Sequence, residues 1–191
     1  MNILVTGATG FIGKNLVNRL VAQGESVHIL CRTTSDISDL NHANIKIFKG
    51  DLLDDRSVSM AMHQCDRIYH LAALAKNWAP DPDIFYTINV NATEKILTAA
   101  ENQGIKKVVI TSTLMTLRPS NGHPVNELSG QAEQILTKYA RSKAKSEEVA
   151  LKFCDHGLPV VFVNPTRVFG PGLMTEGNSA TLMVQLYLQG K

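Results

Sequence analysis

The 191-residue chain is 44% hydrophobic and 19% charged, an ordinary globular composition that argues against disorder. Its 19 basic and 17 acidic side chains leave a net charge of +2 scattered along the chain, without the clustered basic footprint of a nucleic-acid binder. No apolar run approaches a membrane span, the N-terminus lacks an export pattern, and neither the three isolated cysteines nor the six histidines show metal-ligand spacing, so a cytoplasmic protein with reduced thiols and no metal is expected.

In chain order, residues 2–5 form a short β-branched and apolar run ending in Thr6-Gly7, the pattern of a buried strand followed by a tight turn. Residues 11–23 place Phe11, Ile12, Leu16, Leu20 and Val21 on a helical stripe closed by Gly24. Strands are predicted over 26–31 and 45–48, a short helix over 54–64, and a fourth strand over 67–71. A long helix follows over 82–103, then a fifth strand over 108–111, a second long helix over 131–153 and a sixth strand over 160–163. A last helical segment covers 179–189. Strand–helix alternation of this kind implies right-handed crossovers and a doubly wound parallel sheet with helices on both faces. The strands are continuous apolar runs because both faces of such a sheet are covered.

The first strand leads directly into Gly7-Ala8-Thr9-Gly10-Phe11-Ile12-Gly13 and a helix. Gly7 permits the turn, Gly10 lets the backbone approach a pyrophosphate, and Gly13 lets helix and strand pack closely, as in a Rossmann-type dinucleotide site. The pyrophosphate would sit on free N–H groups at the positive end of the helix. The tip of the second strand separates the two nicotinamide dinucleotides: an acid there accepts from ribose hydroxyls, an arginine receives a 2′-phosphate. Here Cys31-Arg32-Thr33-Thr34-Ser35 contains no acid, and Arg32 can fork onto a phosphate with Thr33 or Ser35 as a further donor. NADP is therefore expected, with NAD as second choice.

Tyr139 and Lys143 form Y-x-x-x-K, which puts both on one face of a helix, one turn apart. A phenol titrates near 10, so proton transfer at neutral pH asks for a pKa lowered by about three units, roughly 4 kcal/mol. A nearby ammonium would supply part of that. Thr111-Ser112-Thr113 ends the fifth strand, where a hydroxyl can bond a substrate carbonyl.

Taken in order, TGATGFIG (6–13), Gly50-Asp51-Leu52, His70-Leu71-Ala72-Ala73, Asn89 in the long helix, TST (111–113), YARSK (139–143) and NPTRVFGPG (164–172) resemble the extended short-chain dehydrogenase/reductase superfamily, the NAD(P)-dependent epimerase/dehydratase group. The resemblance implies that Thr9, Phe11, Ile12 and Asn89 belong with the glycines to the cofactor site. Asp51 and Leu52 would contact the adenine, and Ala72 and Ala73 would lie beside the phosphates. Thr113 takes the position of the catalytic Ser/Thr, with Ser112 as fallback, and Tyr139 that of the acid/base. Lys143 would bind the nicotinamide ribose, and Pro165 and Thr166 would border the nicotinamide.

Cys31-Arg32 and Asn164-Pro165-Thr166 resemble the reductase branch, including dihydroflavonol-reductase-like enzymes. The expected activity is NADP-dependent hydride transfer on a carbonyl/alcohol small molecule. A NAD-dependent nucleotide-sugar epimerase/dehydratase is the alternative, and a non-catalytic dinucleotide-binding fragment or sensor the alternative of another class. Family members continue past the G-P-G segment, so 1–172 is expected to be the NAD(P)-binding Rossmann domain and 173–191 the start of a truncated substrate-binding region, the substrate domain being largely absent. Lys76, Asn77 and Trp78 fall where a substrate loop is expected. The helices containing Asn89 and Tyr139 commonly pair in the family to make a homodimer, with Leu97, Ile135 and Leu136 as candidate contacts.

Overall fold

The first strand decides the layering. Along β1 (Asn2–Thr6), Ile3 and Val5 serve the core on one face of the sheet and Leu4 the core on the other, and all three are buried. β1 pairs in parallel with β2 (Ser26–Cys31) on one side and with β4 (Arg67–His70) on the other. β3 (Ile45–Lys49) extends the sheet beyond β2, while β5 (Lys107–Thr111) and β6 (Val160–Val163) extend it beyond β4. The result is a six-stranded parallel sheet in the order β3-β2-β1-β4-β5-β6, the Rossmann-type arrangement expected. The computed structural model describes residues 1–76, 78–120, 122–126, 128–172 and 178–190.

Helix α1 (Phe11–Ala22) buries Val17 and Leu20 against Ile3, Val5, Val27 and Ile29. On the opposite face α2 (Asp55–Met62), α4 (Ala92–Asn102) and α5 (Lys138–Asp155) bring Val58, Ile96, Leu97 and Ala150 onto Leu4, Ile68 and Val108. Each aliphatic side chain buried this fully contributes about 1.5–3 kcal/mol, so these two clusters dominate the stability. The cover is uneven. Among the described residues α1 is the helix on the first face, and Val161 and Val163 of β6 stay 43% and 47% exposed.

Three expectations change on inspection. The second long helix begins at Lys138 rather than near 131, because Thr137 caps it by accepting from Ala140 N–H at 3.1 Å. Residues 131–132 are instead drawn to the segment after β5, with Ala132 N–H donating to the Thr116 carbonyl at 2.9 Å. The helix predicted over 82–103 is α3 (Ile84–Tyr86), a π-turn (Thr87–Asn91) and α4 in succession, and the wider turn brings Asn89 inward. Leu97 is fully buried in its own core, so it is not available to a partner.

The last helix, α6, spans Ser179–Leu188. Residues 173–177 and 191 of the expected substrate region lie outside the described residues, as does Asn77. Among the described residues no helix is long and apolar enough to cross a membrane.

The strand order reverses between β1 and β4, whose following loops leave the sheet in opposite directions. In open parallel sheets a crevice forms at that point, beyond the carboxyl ends of the strands.

Candidate active site

The crevice is built by the glycine loop from one side and the segment after β4 from the other. Gly7 has a φ of +70°, and a Cβ there would come within 2.6 Å of Ala72 N, so both the turn and the close approach require glycine. A Cβ on Gly13 would run into the Gly7 carbonyl, which is how α1 seats tightly on the loop. Gly10 differs: its φ is −79°, and an added Cβ would meet only the Gly7 oxygen, at 3.3 Å. That contact is tight but far milder than those at Gly7 and Gly13, and Gly10 lines the space in front of the loop. No side chain caps α1, which leaves the N–H groups of its first turn directed at that space.

A groove of about 400 Å³ runs from this loop. Gly7, Thr9 and Gly10 form its floor, Ala72, Ala73 and Leu74 one wall, and Arg32, Ser35, Asp51 and Leu52 its far end. Ser35 N–H donates to the Arg32 carbonyl at 3.0 Å, a turn that folds the serine back beside the arginine. Among the described residues no ion pair involves Arg32, so its guanidinium is uncommitted at the groove mouth. A cradle without side chains, an uncapped helix start and an unpaired arginine at the far end fit a dinucleotide phosphate chain with a terminal anion.

The predicted site residues do not all meet in this groove. Phe11 faces a second hollow on the outer side of the loop, where Gly170 and Gly172 lie against its ring. Ile12 is exposed on the first turn of α1. Pro165 accepts from Leu114 N–H at 3.0 Å, and Thr166 is exposed beyond it. Asn89 is fully buried and its amide is committed within the protein. Its oxygen accepts from Leu74 N–H at 2.7 Å, and its nitrogen donates to the Ser142 hydroxyl at 2.8 Å and the Leu74 carbonyl at 3.3 Å. Asn89 thereby links the groove wall to α5, one residue from Lys143.

On α5 the buried stripe is polar. Ser142, Lys143, Ser146 and Glu147 recur at helical spacing on the face turned to the sheet, where an ordinary helix would carry leucines. Tyr139 opens this stripe beside Thr113, whose hydroxyl accepts from Met115 N–H at 3.3 Å. Ser112 is 2% exposed with an unpartnered hydroxyl, so Thr113, not the fallback serine, faces the phenol.

The protonation pattern departs from expectation. Burial pushes the Tyr139 phenol above its ordinary 10, with the Thr113 hydrogen bond opposing. The lowering expected from the lysine one turn away is not found: Lys143 is buried, only 2% exposed, and is not among the causes acting on the phenol. Burial brings the Lys143 ammonium down to about 8, with Glu147 holding it up against that fall.

His70, at the end of β4, sits in a buried chain that the sequence did not disclose. Ser146 donates to Thr93 at 3.0 Å and Thr93 donates to the Asn89 carbonyl at 2.7 Å, so Thr93 accepts from His70 Nε2–H at 3.1 Å. Nδ1 is then the acceptor of the Thr6 hydroxyl at 2.7 Å, while Thr6 Oγ1 accepts from Ala72 N–H at 3.3 Å. Every proton in the chain has one direction, which ties the glycine loop, the groove wall and α5 together. Burial, with Lys143 nearby, drives His70 down to about 3. Each of these groups is buried but polar within an apolar period, and that mismatch is the signal that could have found them.

Sheet order, glycine cradle and helix start define a Rossmann-type α/β domain with a crevice at its strand reversal. The chain belongs to the NAD dependent epimerase/dehydratase family, whose model matches residues 3–190. It is 35% identical over 172 residues to sterol demethylase protein B of Methylococcus capsulatus, covering 90% of this chain and 52% of that protein. It is 34% identical over 169 residues to a putative dihydroflavonol 4-reductase of Synechocystis sp., covering 87% of this chain and 49% of that one. The crystal structure of Thermus thermophilus UDP-glucose 4-epimerase in complex with NAD matches with a TM-score of 0.84 at 26% identity, over 100% of this chain and 63% of that one. The chain thus spans about half the length of the curated relatives it matches.

Proposed function

We propose that this chain carries the cofactor half of an NADP-dependent oxidoreductase acting on a carbonyl/alcohol pair. The observation that carries the reading is the placing of Thr113 beside the Tyr139 phenol, with Lys143 buried one turn along the helix that Asn89 ties to the dinucleotide-shaped groove.

NADP, when bound, supplies the hydride donor or acceptor, which no side chain here provides. The first-turn N–H groups of α1, Thr9 among the loop residues, and the bare surface at Gly10 receive the pyrophosphate. Arg32 and Ser35 hold the 2′-phosphate, Asp51 and Leu52 border the adenine, and Ala72 and Ala73 line the phosphates. Lys143 holds the nicotinamide ribose, with Pro165 and Thr166 beside the nicotinamide. Thr113 positions the substrate oxygen, and Tyr139 gives or takes its proton. Residues 1–172 form the cofactor domain, and the region from 173 on belongs to the substrate side. A homodimer through the helices containing Asn89 and Tyr139 is part of this reading, supported by Tyr86 and Leu151 on those helical segments, 48% and 51% exposed.

A second reading, an NAD-dependent nucleotide-sugar epimerase, draws support from the fold shared with the solved epimerase along the whole chain. Turnover separates the two. NADPH with a panel of aldehydes and ketones should lose reduced-nicotinamide absorbance, and Tyr139→Phe should slow that loss at least ~10²-fold. Conversion of a nucleotide sugar without net cofactor consumption would move the protein to the epimerases. Binding of NADPH with no turnover of any substrate would leave a non-catalytic dinucleotide module.

A further inference from the structure

Glu147 has so far entered only as a charge near Lys143, yet it is the most heavily bonded buried acid in the described chain. It lies one turn beyond Lys143 on α5 and is almost fully buried. One carboxylate oxygen lies 3.0 Å from the Thr116 hydroxyl and 3.0 Å from the Asn164 amide nitrogen. The other accepts from the Gln131 amide at 3.3 Å. These partners come from three separate segments: the turn after Thr113, the segment after β6 that leads to Pro165, and the stretch before α5. Asn164 also donates to the Thr113 carbonyl at 3.1 Å, so the carboxylate is one bond removed from the Thr113 backbone.

The Asn164 and Gln131 amides donate to Glu147, and the single Thr116 proton is shared between Glu147 and the Thr113 carbonyl at 2.9 Å, a donor set suited to a carboxylate. A buried anion is retained only where it is bonded and where a nearby cation offsets its cost. The groups facing α5 at this level from the π-turn, α4 and the segment after β6 are neutral: Asn89 on Ser142, Thr93 on Ser146 and Asn164 on Glu147 itself. From β4 the titratable neighbour is His70, which is neutral through the ordinary pH range. Among the described residues Glu147 is therefore the acid set one helical turn from Lys143.

We propose that Glu147 is a positioning residue for the Tyr139–Lys143 pair: its carboxylate fastens the turn carrying Thr113 to α5 and stands one helical turn from Lys143 as its counter-charge. The proposal rests on the reading of Tyr139 and Lys143 given above, but its test does not need turnover. No ion-pair contact is required, since a charge one helical turn away acts through a poorly screened interior.

NMR of lysine labelled at the ε-carbon, with Lys143 assigned through Lys143→Arg, reads the lysine titration in the full chain without cofactor or substrate. Glu147→Gln keeps an acceptor for Thr116 and Asn164 while removing the charge, and it should lower the Lys143 midpoint by about one pH unit, a tenfold loss of proton affinity. Glu147→Asp keeps the charge on a shorter stem. It should hold the midpoint near wild type while speeding amide exchange at Leu117 and Ala132, whose N–H groups close the turn on Leu114 and Thr116. An unchanged midpoint in Glu147→Gln overturns the electrostatic role, and unchanged exchange in Glu147→Asp overturns the fastening role. If Glu147→Gln does not fold, the aspartate variant decides: a midpoint that falls by about a unit despite the retained charge contradicts the proposal. Failure of wild type to bind NADPH would count against the cofactor site alone and leave the lysine result standing.

Discussion

His70 shows how much a single buried side chain can determine. The hydrogen-bond directions around it leave one self-consistent assignment, the neutral ring with its proton on Nε2. Its folded-state value, about 3, lies below the ordinary 6.5, so the unfolded chain takes up the proton first. The stability that His70 contributes is present above pH 6.5 and is lost as pH falls toward 3, in total of order 5 kcal/mol. Nitrogen NMR should show the Nε2–H tautomer with no titration as the pH passes through 6.5. A midpoint near 6.5, or the Nδ1–H tautomer, would contradict the chain of bonds described. His70 was readable in the sequence only as part of a family motif, because burial and proton direction are set by Thr6, Thr93 and Ser146 from three other elements.

The same contrast holds for whole elements. The glycine turn and the Tyr139–Lys143 spacing were legible because their chemistry is local: residues a few positions apart on one loop or one helix face. The start of α5 was not, since Ile135 and Leu136 continue a helical apolar stripe, yet Leu136 is 84% exposed. Thr137 was the available signal, a capping residue directly before the helix. Glu147 extends the Tyr139–Lys143 spacing by one further turn, but only the packing shows that all of this face is buried. The π-turn has a comparable tertiary cause. It presents Asn89 to Leu74 and Ser142 at once, and Thr93 covers the Asn89 carbonyl. Asn89→Ala would strand the Leu74 N–H at the groove wall and should cost about 2 kcal/mol in urea unfolding, because a buried donor left unpaired loses its desolvation energy. A variant as stable as wild type would show that the π-turn holds without this link.

For the molecule as a whole, one sheet reversal organises everything. The reversal between β1 and β4 opens the crevice, the glycine loop and Ala72–Leu74 line it, and Asn89 connects that wall to α5, where Thr113, Tyr139 and Lys143 gather. Fold and glycine turn followed from pattern alone, because a doubly wound sheet leaves few alternatives for strand–helix repeats. The substrate side did not: the relatives are about twice as long, and the residues that would define a substrate pocket are not among those the site brings together.

The central claim, a dinucleotide on the Gly7–Gly13 loop with a 2′-phosphate at Arg32, is tested most directly by titrating the protein with NADPH and NADH separately, alongside Gly10→Ala and Arg32→Ala. Saturable NADPH binding at least about tenfold tighter than NADH is expected, with Arg32→Ala bringing the two affinities together. Gly10→Ala should abolish binding with only a small change in the unfolding midpoint, since its Cβ meets the Gly7 carbonyl at 3.3 Å, a contact relieved by a slight shift of the loop. Equal affinity for the two nucleotides with Arg32→Ala without effect, or wild-type binding in Gly10→Ala, would contradict it.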